Sequence, residues 1–182
     1  MSKLIARVAG PFLVMYGSFT VMDVDGLSFS TAALAPEELY ELVRQGNPWF
    51  AVTENMAIVR SLQGYHHIAD VALELWDGEP PADPEGQAET AAEPMRSSSG
   101  QVRAGNSVGN GGPVLDLGEP AALWSVRAQR IKKASQVVVY SSSDETYDDE
   151  DDDDGGYPEG LEEFRIQFWS APSLSVSQYS DF

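Results

Sequence analysis

The stretch that most constrains this chain is Leu161 to Trp169, LEEFRIQFW, where Phe164, Ile166 and Phe168 alternate with Glu163, Arg165 and Gln167. Successive strand side chains point to opposite faces, so this period of two predicts a strand with one apolar face. A second alternation sets Val71, Leu73 and Leu75 against Asp70, Ala72 and Glu74. Half-buried strands of this kind must lay their apolar faces on another layer, which points to a mainly β chain.

The remaining segments fit that class. Leu4 to Val8 and Phe12 to Asp23 read as one or two early strands separated by Gly10-Pro11, with a change of phase across Gly17-Ser18 that suits a bulge or bend. Asp23 to Gly26 reads as a turn. Trp49 to Leu62 and Ile68 to Trp76 form the clearest hairpin, with Gln63-Gly64 near its tip. Two further strands are expected at Ala121 to Ala128 and Gln136 to Ser142, with Arg127, Arg130, Lys132 and Lys133 in a basic turn between them. Ser173 to Phe182 reads as a loose tail or short edge strand.

One helix signal stands out: Pro36 at a first helical position, Glu37 and Glu38 in the first turn, Leu39, Leu42 and Val43 at helical spacing, and Gly46 at the end. It suits a short helix closing an end or edge of a sheet. The total predicts a single antiparallel β-sandwich of seven or eight strands with one short helix, occupying 1–182 as one domain. Residues 79–113 are rich in Pro, Gly, Ser, Ala and Glu and nearly free of large apolar side chains, so they read as a disordered insertion. Residues 144–156 read as an acidic loop.

Charge narrows the function classes. The chain holds 11 Lys and Arg against 29 Asp and Glu, a formal net charge of -18. Such a field repels nucleic acid and anionic membrane, and it steers basic proteins inward. The absence of cysteine excludes disulfides, thiolate catalysis and Cys-based zinc sites, and permits a cytoplasmic setting. No stretch has the roughly 18 apolar residues that a spanning helix needs, so membrane insertion is not expected.

The candidate binding residues lie in the acidic run, which holds nine carboxylates among the eleven residues 144–154. Asp148, Asp149, Glu150, Asp151, Asp152, Asp153 and Asp154 are the expected face toward a basic partner. The competing readings are a solvated loop and calcium. Glu150, Asp152, Asp154 and Gly155 fall at positions 1, 3, 5 and 6 of an EF-hand spacing, but position 12 is Leu161 and no helices flank it. His66 and His67 are adjacent and would point to opposite faces of a strand, so they read as exposed loop residues and not as ligands of one metal. A hydrolase would need a carboxylate and a hydroxyl to converge on one of them. Ser97 to Ser99 and Ser141 to Ser143 read as low-complexity punctuation and not as a nucleophile elbow, and Trp49, Trp76, Trp124 and Trp169 as core residues of four strands. No catalytic residue, metal site or cofactor is called for.

Two stretches resemble a known family. LVMYGSFTVMDVDG, residues 13–26, resembles the opening strand pair of the competence protein ComJ family, the Nin-type nuclease inhibitors, and PEGLEEFRIQFWSAP, residues 158–172, resembles its closing strand. The resemblance implies a small antiparallel β-sandwich without catalytic residues that binds and inhibits a nuclease. It carries over no inhibitory residue by position. The expected function is therefore a non-enzymatic acidic protein that neutralises a basic partner, a nuclease or nuclease toxin. The alternative is a calcium-responsive or ligand-binding β-sandwich module.

Overall fold

The computed structural model describes residues 2–25, 35–45, 48–83, 86–107, 109, 111–133 and 157–170. Ten strands and one helix are described: β1 (Leu4–Val14), β2 (Ser18–Asp23), α1 (Pro36–Arg44), β3 (Phe50–Thr53), β4 (Met56–Arg60), β5 (His67–Trp76), β6 (Glu89–Ser97), β7 (Gln101–Gly105), β8 (Gly111–Asp116), β9 (Ala122–Lys132) and β10 (Glu159–Ser170). They form two five-stranded sheets, ordered β1-β5-β10-β9-β6 and β3-β4-β2-β7-β8. A common apolar core joins them. From the first sheet come Val71, Leu73, Val126, Phe164, Ile166 and Phe168, and from the second Phe19, Val21, Phe50, Val59, Val102 and Leu115.

The strand that anchored the sequence reading is the centre of its sheet. In β10, Phe164, Ile166 and Phe168 are fully buried, and β5 and β9 flank it on either side. Its pairing with β5 is parallel, so the sheet is mixed and not antiparallel throughout. The mainly β class holds, with ten strands in place of seven or eight.

Several expectations change. β3 and β4 form a hairpin within the second sheet, whereas β5 leaves for the first sheet to pair with β1 and β10. The apolar stretch to either side of Gln63-Gly64 supplies two inner faces that belong to different layers, which local alternation cannot distinguish. β1 runs unbroken through Gly10-Pro11, because it is an edge strand and proline at an edge removes no needed ladder bond. It then turns at Met15 to Ser18 into β2.

The largest correction concerns 79–113, expected as a disordered insertion. It carries β6, β7 and the start of β8. β6 pairs with β9 in an unbroken register from Glu89–Arg130 to Ser97–Ala122, although only Met95 and Ser97 of the strand are buried. A strand at the edge of a sheet needs little apolar surface once its neighbour offers the backbone ladder, and composition does not register that. Pro94 and Pro113 sit on these two edge strands.

The basic turn is also strand. Arg127 and Arg130 lie inside β9 on opposite faces, and both are buried. Arg127 belongs to a polar row across the outer face of the first sheet: its Nε donates to Gln167 Oε1 at 2.8 Å, Gln167 Nε2 donates to Glu74 Oε2 at 2.9 Å, and Arg7 Nε stands 3.4 Å from Glu74 Oε1. The same guanidinium donates to the carbonyls of Pro80 and Pro81, fastening that segment over the sheet. The expected strand 136–142, the acidic loop 144–156 and the tail 173–182 lie outside the described residues.

Helix α1 matches its signal, with Pro36 at the start and Glu38 closing back on the Ala35 N–H. Leu39 and Val43 pack on Ala51, Met56 and Ile58. In β4 the side chains alternate between this patch and the central core, so α1 covers a sheet face and does not cap an edge.

Candidate partner-binding end

At the end of the sandwich where β1 turns into β2, the described residues bring together that turn, the β4–β5 loop and the entry to β10. They are fastened from beneath by side chains on the inner face. Glu162, in phase with Phe164 and Ile166, is fully buried, and so is His67, in phase with Ala69 and Val71. Ser61 is nearly so.

Ser61 Oγ donates to Glu162 Oε2, and the Leu62 N–H donates to Oε1 at 2.9 Å. His67 Nε2 lies 3.3 Å from both Ser61 Oγ and Glu162 Oε2. Its Nδ1 meets the Tyr65 carbonyl at 3.0 Å; a carbonyl only accepts, so Nδ1 carries a proton. Burial pushes the Glu162 carboxyl up, but hydrogen bonds from His67, Ser61 and the Leu62 N–H outweigh it and hold the group below its ordinary value. The carboxylate is the hub.

A carboxylate and a hydroxyl thus converge on His67, as a hydrolase would require. The arrangement is different. In a nucleophilic triad the acid orients one ring nitrogen while the hydroxyl faces the other; here both share Nε2, and all three groups are withdrawn from solvent. The chemistry this geometry performs is to lock the β4–β5 loop. The expectation that His67 is an exposed loop residue is overturned, because it begins β5 on the apolar face.

Above this lock the surface is aromatic. Tyr16 is 72% exposed, with Leu62, Tyr65 and Tyr157 also exposed and His66 half-buried. The Tyr16 and His66 rings meet edge to face at 4.6 Å, and His66 meets Tyr157 at 5.8 Å. Tyr16 has a left-handed backbone, φ 52°, an uncommon conformation for a side chain of that size. Gly17 beside it, φ 70°, is irreplaceable on space alone, since an added Cβ would lie 2.7 Å from the Gln63 carbonyl oxygen. The Gly17 carbonyl accepts from the Ser61 N–H at 2.9 Å, so turn and loop are tied directly. Ile68 N–H donates to the Pro158 carbonyl at 2.7 Å, adding the third connection.

The run Asp148, Asp149, Glu150, Asp151, Asp152, Asp153 and Asp154 lies outside the described residues. In sequence it rejoins the described chain at Tyr157, a member of this cluster. Among the described residues, no group of three His, Asp or Glu side chains is placed to hold a metal. No described helix is long and apolar enough to cross a membrane.

The sequence matches no protein-family model and no curated protein. The fold is shared with ComJ. The crystal structure of ComJ, inhibitor of the DNA degrading activity of NucA, from Bacillus subtilis, aligns with a TM-score of 0.53 at 12% identity, covering 94% of this chain and 99% of that one. A second structure, described as crocagin biosynthetic gene J, aligns with a TM-score of 0.49 at 12% identity, over 92% of this chain and all of that one. At such identity the likeness to ComJ is one of fold, and in that respect the resemblance seen in residues 13–26 and 158–172 holds.

Sequence reading missed Ser61, His67 and Glu162 as a unit. The available signal was phase: Glu162 shares parity with Phe164 and Ile166, and His67 with Val71 and Leu73. A charged side chain in step with an apolar face must find partners inside. The four tryptophans divide as well: Trp124 is core, while Trp49, Trp76 and Trp169 are half-buried at the margins.

Proposed function

We propose that this protein is a non-enzymatic acidic binding protein that inhibits a nuclease by occupying its basic surface. The observation that carries the reading is the ComJ-like fold over nearly the whole chain. Two independent features support it. A net charge of -18 steers a basic partner toward the molecule and speeds encounter. The aromatic end offers what interface anchors require, exposed tyrosines on connections held rigid from below, with little ordering left to complete on binding. In this reading Asp148 to Asp154 supply the electrostatic footprint, and Tyr16, Tyr65, His66 and Tyr157 supply the contact.

The test is a titration of the protein into a DNA-degradation assay with NucA, the nuclease that ComJ inhibits, and with any nuclease found to be encoded beside its gene. The expected outcome is inhibition that saturates near one protein per nuclease and weakens by about tenfold or more as salt is raised from low to physiological strength. Replacing the seven residues 148–154 by Asn and Gln should weaken inhibition and flatten its salt dependence. Undiminished inhibition by that variant would remove the run from the interface, and no inhibition by the native chain would remove the reading.

A further inference from the structure

A cleft of about 340 Å³ opens where α1, the β1–β2 turn and the end of β4 meet, at the lower end of the size range of small-molecule sites. Its walls divide by chemistry. Met15, Tyr40 and Val43 form an apolar side; Ser18, Arg44 and Arg60 form a polar one. Arg60 lies opposite Ser18 in the β2–β4 ladder, so the strand register sets both beside the cleft.

Arg60 is half-buried, and among the described residues its guanidinium has no hydrogen-bond or ion-pair partner. Its neighbours account for its position but not its charge: the Arg60 N–H donates to the Trp49 carbonyl, and its carbonyl accepts from Arg130 Nη1. Arg44 reaches the same cleft from the last turn of α1, with a single exposed contact to Glu41 at 3.3 Å. Burial pushes the Tyr40 phenol up, so it stays protonated and can donate.

We propose that this cleft binds a small organic anion, an aromatic body seated on Met15, Tyr40 and Val43 with its carboxylate or phosphate held by Arg60 and Arg44. A guanidinium presents a planar fork of donors that matches either anion, and an apolar wall beside it lowers the local dielectric and strengthens that contact. The cleft borders the proposed partner contact at Tyr16 and Gly17, but the inference does not rest on that reading, since it asks for negative charge in the ligand where that partner supplies positive.

The test is an NMR titration of the full chain with 1-naphthyl phosphate and 1-naphthoate, with 1-naphthol as the neutral control. Both anions should saturate at or below millimolar concentration, with shifts confined to residues 15–18, 40–45 and 60–64, and naphthol should bind at least about tenfold more weakly. The relative affinity of the two anions distinguishes a phosphate ligand from a carboxylate one. Arg60→Ala should weaken both anions about tenfold or more, and Arg60→Lys less, because a point charge keeps attraction and loses the fork. Absence of saturation by either anion, naphthol binding as tightly as the anions, or shifts elsewhere on the surface would overturn the proposal. The naphthol comparison needs no variant and stands even if Arg60→Ala fails to fold.

Discussion

The two ends of the sandwich are both fastened by buried carboxylates, and they differ in what the carboxylate holds. At one end Glu162 faces His67 and Ser61 beneath the aromatic cluster. At the other, where β2 finishes, Asp23 accepts from Ser97 Oγ at 2.5 Å, from the Ser99 N–H at 2.9 Å and from the Asp25 N–H at 3.0 Å, all neutral donors. Asn55, in a left-handed turn at φ 63°, completes that knot through Ser98, with its Oδ1 accepting the Ser98 N–H at 2.8 Å. Gly100 closes it, because an added Cβ there would meet the Glu119 backbone at 2.9 Å.

The knot joins β6 of one sheet to β7 of the other and ends in polar turns. The Glu162 lock supports exposed tyrosines. A carboxylate among neutral donors is a structural fastening that tolerates some loss; a carboxylate paired with an imidazole in the dry interior leaves a costly orphan if either is removed. The proposed contact surface thus lies over the less forgiving end.

Removing hubs should separate the two ends first. Glu162→Ala strands the His67 ring, the Ser61 hydroxyl and the Leu62 N–H without their acceptor, and should cost about 3–5 kcal/mol in urea unfolding. Asp23→Asn keeps the shape and half the acceptor capacity, and should cost about 1–3 kcal/mol. Equal costs would erase the distinction between the two fastenings.

Acid should reach both ends, in a defined direction. Both carboxyls titrate lower in the folded chain than their ordinary values, 4.5 for Glu162 and 3.8 for Asp23. At Asp23, burial raises the value and the hydrogen bonds from Ser97, Ser99 and Asp25 outweigh it. A depressed folded value gives stability that is complete above the unfolded one and lost as pH falls through the folded one. Urea midpoints should therefore be level near pH 6 and fall below about pH 4.5, with a shallower fall in Asp23→Asn than in the native chain. A midpoint that rises on acidification would contradict the assignment.

The smallest effect is expected at the surface. Tyr16→Gly relieves a left-handed backbone and loses the edge-to-face contact with His66, and should change stability by no more than about 0.5 kcal/mol. In the proposed complex the same change should weaken partner binding by about 1–2 kcal/mol, so function and stability part at this residue.

Much of this architecture is legible in the sequence where side chains carry it. Phe164, Ile166 and Phe168 announce β10 by alternation, and Pro36, Glu38 and Val43 announce α1 by cap and period. Legibility fails where the backbone carries the structure. Glu89 to Ser97 becomes a strand because β9 lies beside it, and nothing within ETAAEPMRS reports that neighbour. It also fails where neighbours in sequence part company in space, as when β4 and β5 enter different sheets. The lock was readable only in part: Glu162 is out of place on an apolar face, but its meeting with Ser61, 101 positions away, is a property of the fold. Tyr16, His66 and Tyr157 carry no pattern that joins them.

Hydrogen exchange on the protein alone and bound to its proposed nuclease partner tests the assignment of the contact surface most directly. Added protection is expected at residues 15–18, 61–67 and 157–159, with the knot at 55 and 97–101 unchanged. Protection confined to 55 and 97–101 would contradict it, and would move the working surface to the other end of the sandwich.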